Sequence, residues 1–143
     1  MKVKQLSGNG DRTYAIVFDK GDEVMSGLRE FAQKHDVDAA HFTAIGAFSD
    51  VTLGFFDREL KDYRRIPVED QVEALSLVGD VALKDGQPQI HAHVVVGRAD
   101  GTAQGGHLLE AHVWPTLEVV LVETPGHLRR ELDEETQLPL IRL

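Results

Sequence analysis

The sequence predicts an α+β fold in which one principal helix packs on a β-sheet. Three observations carry this. Only one segment, residues 22–35, spaces its apolar residues for a helix, with Val24, Leu28, Phe31 and Ala32 on one face. Up to residue 123 the remainder reads as runs rich in β-branched and aromatic residues, separated by Gly, Pro and Asp. No repeat, low-complexity stretch or Pro/Gly/Ser-rich linker divides the 143 residues. The expectation is therefore one domain over 1–143, with 125–143 a C-terminal tail that docks back.

Each element has its own signal. Arg12–Phe18 (RTYAIVF) is rich in β-formers and is the first expected strand. Lys20-Gly21-Asp22 turns the chain into the helix and sets Asp22 and Glu23 at the positive end of its dipole. Gly27 costs that helix about 1 kcal/mol relative to Ala, and a small residue there lets the helix sit close to a sheet. Strands are expected at 39–45, ending at Gly46, and at 51–56. The mixed-charge stretch 57–70 reads as a solvated hairpin with a short strand near Arg65–Val68. Residues 72–83 form a long strand, and Lys84-Asp85-Gly86-Gln87-Pro88 is a turn. Residues 89–96 follow, then a tight turn at Ala99-Asp100-Gly101. The last strands are 103–110 and 117–123, separated by Pro115, which cannot sit in a central ladder. The tail opens on Pro125-Gly126 and ends in an apolar patch, 138–143. Val119–Val122 is apolar on both faces, as a doubly buried strand is, yet one helix covers one face only. Another copy of the chain is the economical cover for the second.

Composition narrows the function. The chain carries 24 Asp plus Glu against 15 Lys plus Arg, a net charge of −9. An autonomous DNA binder needs a basic face to displace counterions, so direct nucleic-acid binding is not expected. With no cysteine, disulfides, Fe–S clusters, thiolate zinc fingers and cysteine nucleophiles are excluded, and a reducing, cytoplasmic location fits. No apolar run approaches the roughly 18 residues of a membrane span, and Met1-Lys2-Val3-Lys4 lacks a signal peptide's apolar stretch. A chain of this size buries about 68–70% of its unfolded surface and needs no covalent staple.

Four of the seven histidines fall within residues 91–112. Alternation along Gln89–Val96 puts Ile90, Ala92, Val94 and Val96 on one face and His91, His93 and Val95 on the other. The two histidine Cα atoms then lie about 6.6 Å apart, and both imidazoles can lean onto one ion at about 2.0–2.1 Å. A hairpin centred on Asp100-Gly101 gives paired residue numbers that sum to about 201, which sets His107 opposite residue 94, beside His93, or one place along if Gly105-Gly106 forms a bulge. Those glycines also keep side chains away from the approach to the site. Three neutral imidazoles leave a tetrahedral metal one open position. On the residues alone, a metal site and a set of satisfied polar histidines both stay open. His112 is a further candidate ligand or a solvent or interface residue. His35 suits the helix C-terminus, His41 reads as structural and His127 as solvated.

Taken together, Ala44-Ile45-Gly46-Ala47-Phe48, Ser76-Leu77-Val78-Gly79, His91-Ala92-His93, Asp100-Gly101, Gly105-Gly106-His107-Leu108-Leu109 and Glu118-Val119 resemble the plant and prokaryote conserved domain, the PPC domain, over roughly residues 10–135. The resemblance implies a mainly antiparallel β-sheet with helix packing, assembled as a homotrimer, and a stand-alone prokaryotic type of member. It implies metal ligation by His91, His93 and His107, commonly of zinc (Zn2+), although another divalent transition metal stays open. In plants the domain is attached to AT-hook segments. The Arg-Gly-Arg-Pro core of such a hook is missing here.

Other motifs fail on residues. A cupin supplies a Glu a few positions after its HxH, where this chain has Gly97 and Arg98. His107-Leu108-Leu109-Glu110-Ala111-His112 departs from HxxEH at Ala111. Gly8-Asn9-Gly10 starts like a phosphate loop but has Thr13 at the third glycine. No G-x-S-x-G is present. Three classes remain: a metal-binding trimer that binds or processes a small ligand, with Glu73, Glu110 and Glu118 as candidate bases; an assembly module with a structural metal; and a DNA-associated regulator acting through another protein. The first is favoured, with its activity unassigned.

Overall fold

One helix forms, where the apolar spacing places it. The computed structural model describes residues 1–7, 12–124 and 128–142. Along them run β1 (Lys2–Ser7), β2 (Thr13–Phe18), α1 (Val24–Lys34), β3 (Ala40–Asp57), β4 (Asp62–Val68), β5 (Val72–Lys84), β6 (Gln87–Gly97), β7 (Ala103–Glu123), β8 (Arg129–Leu132) and β9 (Pro139–Arg142). Gly8-Asn9-Gly10, Pro125-Gly126 and His127 lie outside the described residues. Glu23, rather than Asp22, caps α1: its carboxylate accepts from the amides of Met25 at 3.0 Å and Ser26 at 2.7 Å. Val24, Leu28, Phe31 and Ala32 are all buried, each large side chain contributing about 1.5–3 kcal/mol. Gly27 permits the close approach: a Cβ there would stand 2.5 Å from Phe18 Cε1 on β2.

The α+β reading holds, with a mainly antiparallel sheet and a single helix among the described residues. Two boundaries differ. The strands expected at 39–45 and 51–56 are one bent strand, β3. Gly46 bends it instead of ending it: the register shifts before Gly46 against β5 and after it against β7, and β7 comes so close that a Cβ there would meet Thr116 O at 2.3 Å. The two strands flanking Pro115 are likewise one, β7. The proline still avoids the ladder: Val113 pairs with Phe48 and Leu117 with Gly46, so residues 114–116 have no partner on β3. The Trp114–Pro115 peptide is cis. β1, β8 and β9 carried no strand signal.

The pairings close a ring, β3 to β5, β5 to β6, β6 to β7 and β7 back to β3. α1 packs on one face, with Phe31 edge-on to Tyr14 at 5.0 Å and Gly27 against Phe18, in a core that also holds Ile16, Phe42 and Leu121. The opposite face is bare: Val119 and Leu121 are 2% and 0% exposed, but Val120 between them is 47% exposed and neighbouring Ile45 is 62% exposed. The β8–β9 hairpin lies on the edge of β5, where Leu83 N donates to Leu128 O at 2.8 Å.

Candidate metal centre

The centre is built on the β6–β7 hairpin. Ile90, Ala92, Val94 and Val96 are buried, so His91 and His93 leave β6 on its other face, as alternation requires. The paired residue numbers sum to 200, which sets His107 directly opposite His93. The loop explains the one-place difference. Arg98 N bonds Thr102 O and Gly101 N bonds Arg98 O, with Gly101 at φ 81°, so the hairpin has a three-residue loop centred on residue 100. Gly105 and Gly106 clear backbone: a Cβ at either would stand 2.8 Å from a carbonyl oxygen of Val94 or Gly54.

The three rings form a nearly equilateral triangle, with centroids 5.1 Å (His91–His93), 5.0 Å (His91–His107) and 5.4 Å (His93–His107) apart. One nitrogen from each lies within 4.8 Å of the others. His91 Nε2 and His93 Nε2 are 3.2 Å apart, close to the ~3.3 Å edge of a tetrahedron with nitrogens at 2.0–2.1 Å from zinc. His91 turns Nδ1 toward Asp80 Oδ2 at 3.8 Å, the carboxylate–imidazole arrangement that orients metal-ligating histidines. His107 Nδ1 is buried and finds no hydrogen-bond partner. A triangle of imidazoles with an orphaned buried nitrogen fits a divalent metal.

Electrostatics favours the neutral form of two of the donors, His93 and His107. Burial, reinforced by His91 and His93, pushes His107 down to about 4, and burial with His91 also lowers His93. Burial would raise the Asp80 carboxyl, but His91 and Arg130 outweigh it and hold Asp80 below the usual carboxylate range. His107 also gives a pH signature in the metal-free chain. Its folded pKa lies below its unfolded value, so its stabilising effect is complete above about 6.5 and is lost as pH falls through about 4, at up to about 1.4 kcal/mol per pH unit. His112 opposes this: its bond to Asp50 raises it, so its contribution is complete below about 6.5 and fades as pH rises through the folded value. Urea unfolding of chelator-treated protein at about pH 7 and pH 5 is expected to show a loss toward pH 5 that shrinks in His107→Asn. An unchanged slope in that variant contradicts the assignment.

Sequence reasoning missed several neighbours. Tyr63 of β4 stacks on His107 with centroids 4.5 Å apart. Arg130 of β8 is 8% exposed, pairs with Asp80 and donates Nη1 to Pro139 O at 2.9 Å. Asp80 was within reach, since the Asp85-Gly86 turn sets it opposite His91. The other named residues lie elsewhere. His112 Nδ1 bonds Asp50 Oδ1 at 2.7 Å. His35 packs against Phe31 and Tyr14 at the helix end. His41 is exposed and holds no core position, because it points to the bare face of β3. Glu110 pairs with Arg65 at 3.4 Å, while Glu73 and Glu118 line a separate surface hollow near Ile45.

A bent antiparallel sheet with one helix, carrying a histidine triad on a hairpin, defines the class. The Plants and Prokaryotes Conserved (PCC) domain profile matches residues 5–125, and the chain belongs to that family. It is similar to a plant- and prokaryote-conserved protein of Pyrococcus horikoshii, with 34% identity, a TM-score of 0.88 and 92% of each chain covered. It is similar to a metal-containing protein of Archaeoglobus fulgidus, with 34% identity, a TM-score of 0.86 and 100% of each chain covered. A protein of Ralstonia eutropha, named for a conjectured DNA-binding role, shares 33% identity over 91% of this chain and 90% of its own, with a TM-score of 0.85. Among curated proteins, the bifunctional protein GlmU of Synechococcus sp. is 30% identical over 115 residues, which are 79% of this chain and 17% of GlmU. The chain thus spans about a sixth of that relative's length. No helix among the described residues is long and apolar enough to cross a membrane.

Proposed function

We propose that this chain is a cytoplasmic, zinc-binding homotrimer whose histidine centre takes a small ligand, with its reaction unassigned. The convergence of His91, His93 and His107 on one point carries the reading. The A. fulgidus relative described as metal-containing supports it. Bound there, a divalent zinc would act as a Lewis acid with one position open to a ligand. The chain's own residues do the rest. Asp80 orients His91, Arg130 balances Asp80, and Tyr63 covers one face of His107. The reading takes 1–143 as one domain, with 125–143 docked beside the centre. Elemental analysis of protein purified without an affinity tag tests it: about one zinc per chain supports the reading, and protein that stays metal-free after incubation with zinc contradicts it.

The trimer rests on the bare sheet face, where Ile45, Leu75, Val78 and Val120 are exposed together. Light scattering is expected to give three times the 15.8 kDa chain mass. A stable monomer at micromolar concentration overturns this. The name of the R. eutropha relative raises the alternative of a DNA-associated regulatory or assembly module. With a net charge of −9, such a module would reach DNA through a partner and not by its own surface.

A further inference from the structure

Three buried side-chain atoms among the described residues lack a hydrogen-bond partner: Gln89 Oε1, His107 Nδ1 and Arg130 Nε. All three residues line one cavity of about 170 Å³, between the histidine centre and the β8–β9 hairpin. Buried polar atoms are normally satisfied, and leaving one without a partner is costly. The metal takes the His107 nitrogen, and the two orphans that remain, Gln89 Oε1 and Arg130 Nε, belong to residues lining one hollow and mark a binding site that a guest completes.

Resting on the zinc reading above, we infer that this cavity binds a small hydroxycarboxylate beside the metal. The charge selects an anion. Three neutral imidazoles leave a divalent ion's charge uncompensated, and Arg130 is already balanced by its pair with Asp80. The free Arg130 Nε–H suits a carboxylate oxygen. Gln89 calls for a hydroxyl, which donates and accepts and so meets either end of the amide. Ile90, Leu138 and Leu140 line the remaining wall and suit short aliphatic substituents. Volume sets the upper limit: the cavity has room for about six waters at ~30 Å³ each, below the ~300 Å³ where drug-sized pockets begin.

The test titrates zinc-loaded protein, its metal content measured first, with 2-hydroxyisobutyrate and with isobutyrate, which lacks the hydroxyl. Binding is followed by calorimetry and by the side-chain amide resonances of Gln89. The hydroxy acid is expected to bind about tenfold or more tightly than isobutyrate, and to shift the Gln89 signals. Arg130→Lys keeps the charge facing Asp80 but removes Nε. It should retain zinc and lose about tenfold or more in affinity for the hydroxy acid. Gln89→Leu, which leaves that ion pair untouched, should abolish the preference for the hydroxyl. Zinc-loaded protein that binds neither acid, or binds both equally, overturns this inference while the zinc reading stands. Protein that cannot be loaded with zinc overturns both.

Discussion

Replacing His91 with alanine is expected to empty the metal centre and leave the fold standing. The strand is held from its other side, where Ile90 and Ala92 are 5% and 1% exposed, whereas the His91 side chain is 38% exposed. Deleting it removes one of the three proposed ligands and the imidazole that faces Asp80. Zinc affinity should fall more than about 100-fold, since loss of an outer-shell partner alone typically costs 10–100-fold. Stability of the metal-free protein should change by about 1 kcal/mol or less. The control is His112→Ala, whose ring is tied to Asp50 away from the triad and which should keep its metal. Metal content and circular dichroism on both variants decide the matter. Full occupancy in His91→Ala refutes the ligand assignment. Loss of metal and fold together makes the centre structural and removes the support for an open position.

Gly79→Ala should give a large loss of stability and should reach the centre through the backbone. Gly79 pairs with Phe42 on β3 and with Ala92 on β6. A Cβ there would stand 2.4 Å from Phe42 Cζ and 2.5 Å from His91 O. Phe42 is 1% exposed and has nowhere to swing, and the other contact is main chain, so β5 and β6 must move apart. The expected cost is about 3 kcal/mol in urea unfolding, with weakened zinc binding because His91 moves with its strand. Ser76→Ala, exposed on the same strand, should change stability by less than about 0.5 kcal/mol. A Gly79→Ala protein as stable as the parent would mean that the two strands do not approach this closely.

What could be read from the sequence was local. The helix face Val24–Leu28–Phe31–Ala32 and the alternation along β6 follow from periodicity, and both appear as expected. The His93–His107 pairing was one place off because a two-residue and a three-residue loop look alike around Asp100-Gly101. Gly46 and Pro115 look like strand ends in sequence. Here one marks a bend and the other a gap in the ladder, a difference set by the strand crossing them. Tyr63 and Arg130 reach the centre from β4 and β8, far along the chain, and no spacing within either element announces it. Asp80 was the legible omission, since a turn with known centre fixes its partner.

Anomalous diffraction at the zinc absorption edge, on crystals of untagged protein grown near neutral pH, tests the centre most directly. The expected result is one peak per chain, about 2.0–2.1 Å from one nitrogen each of His91, His93 and His107. A zinc-loaded crystal with no peak among these three rings, or with a peak that omits one of them, would contradict the assignment.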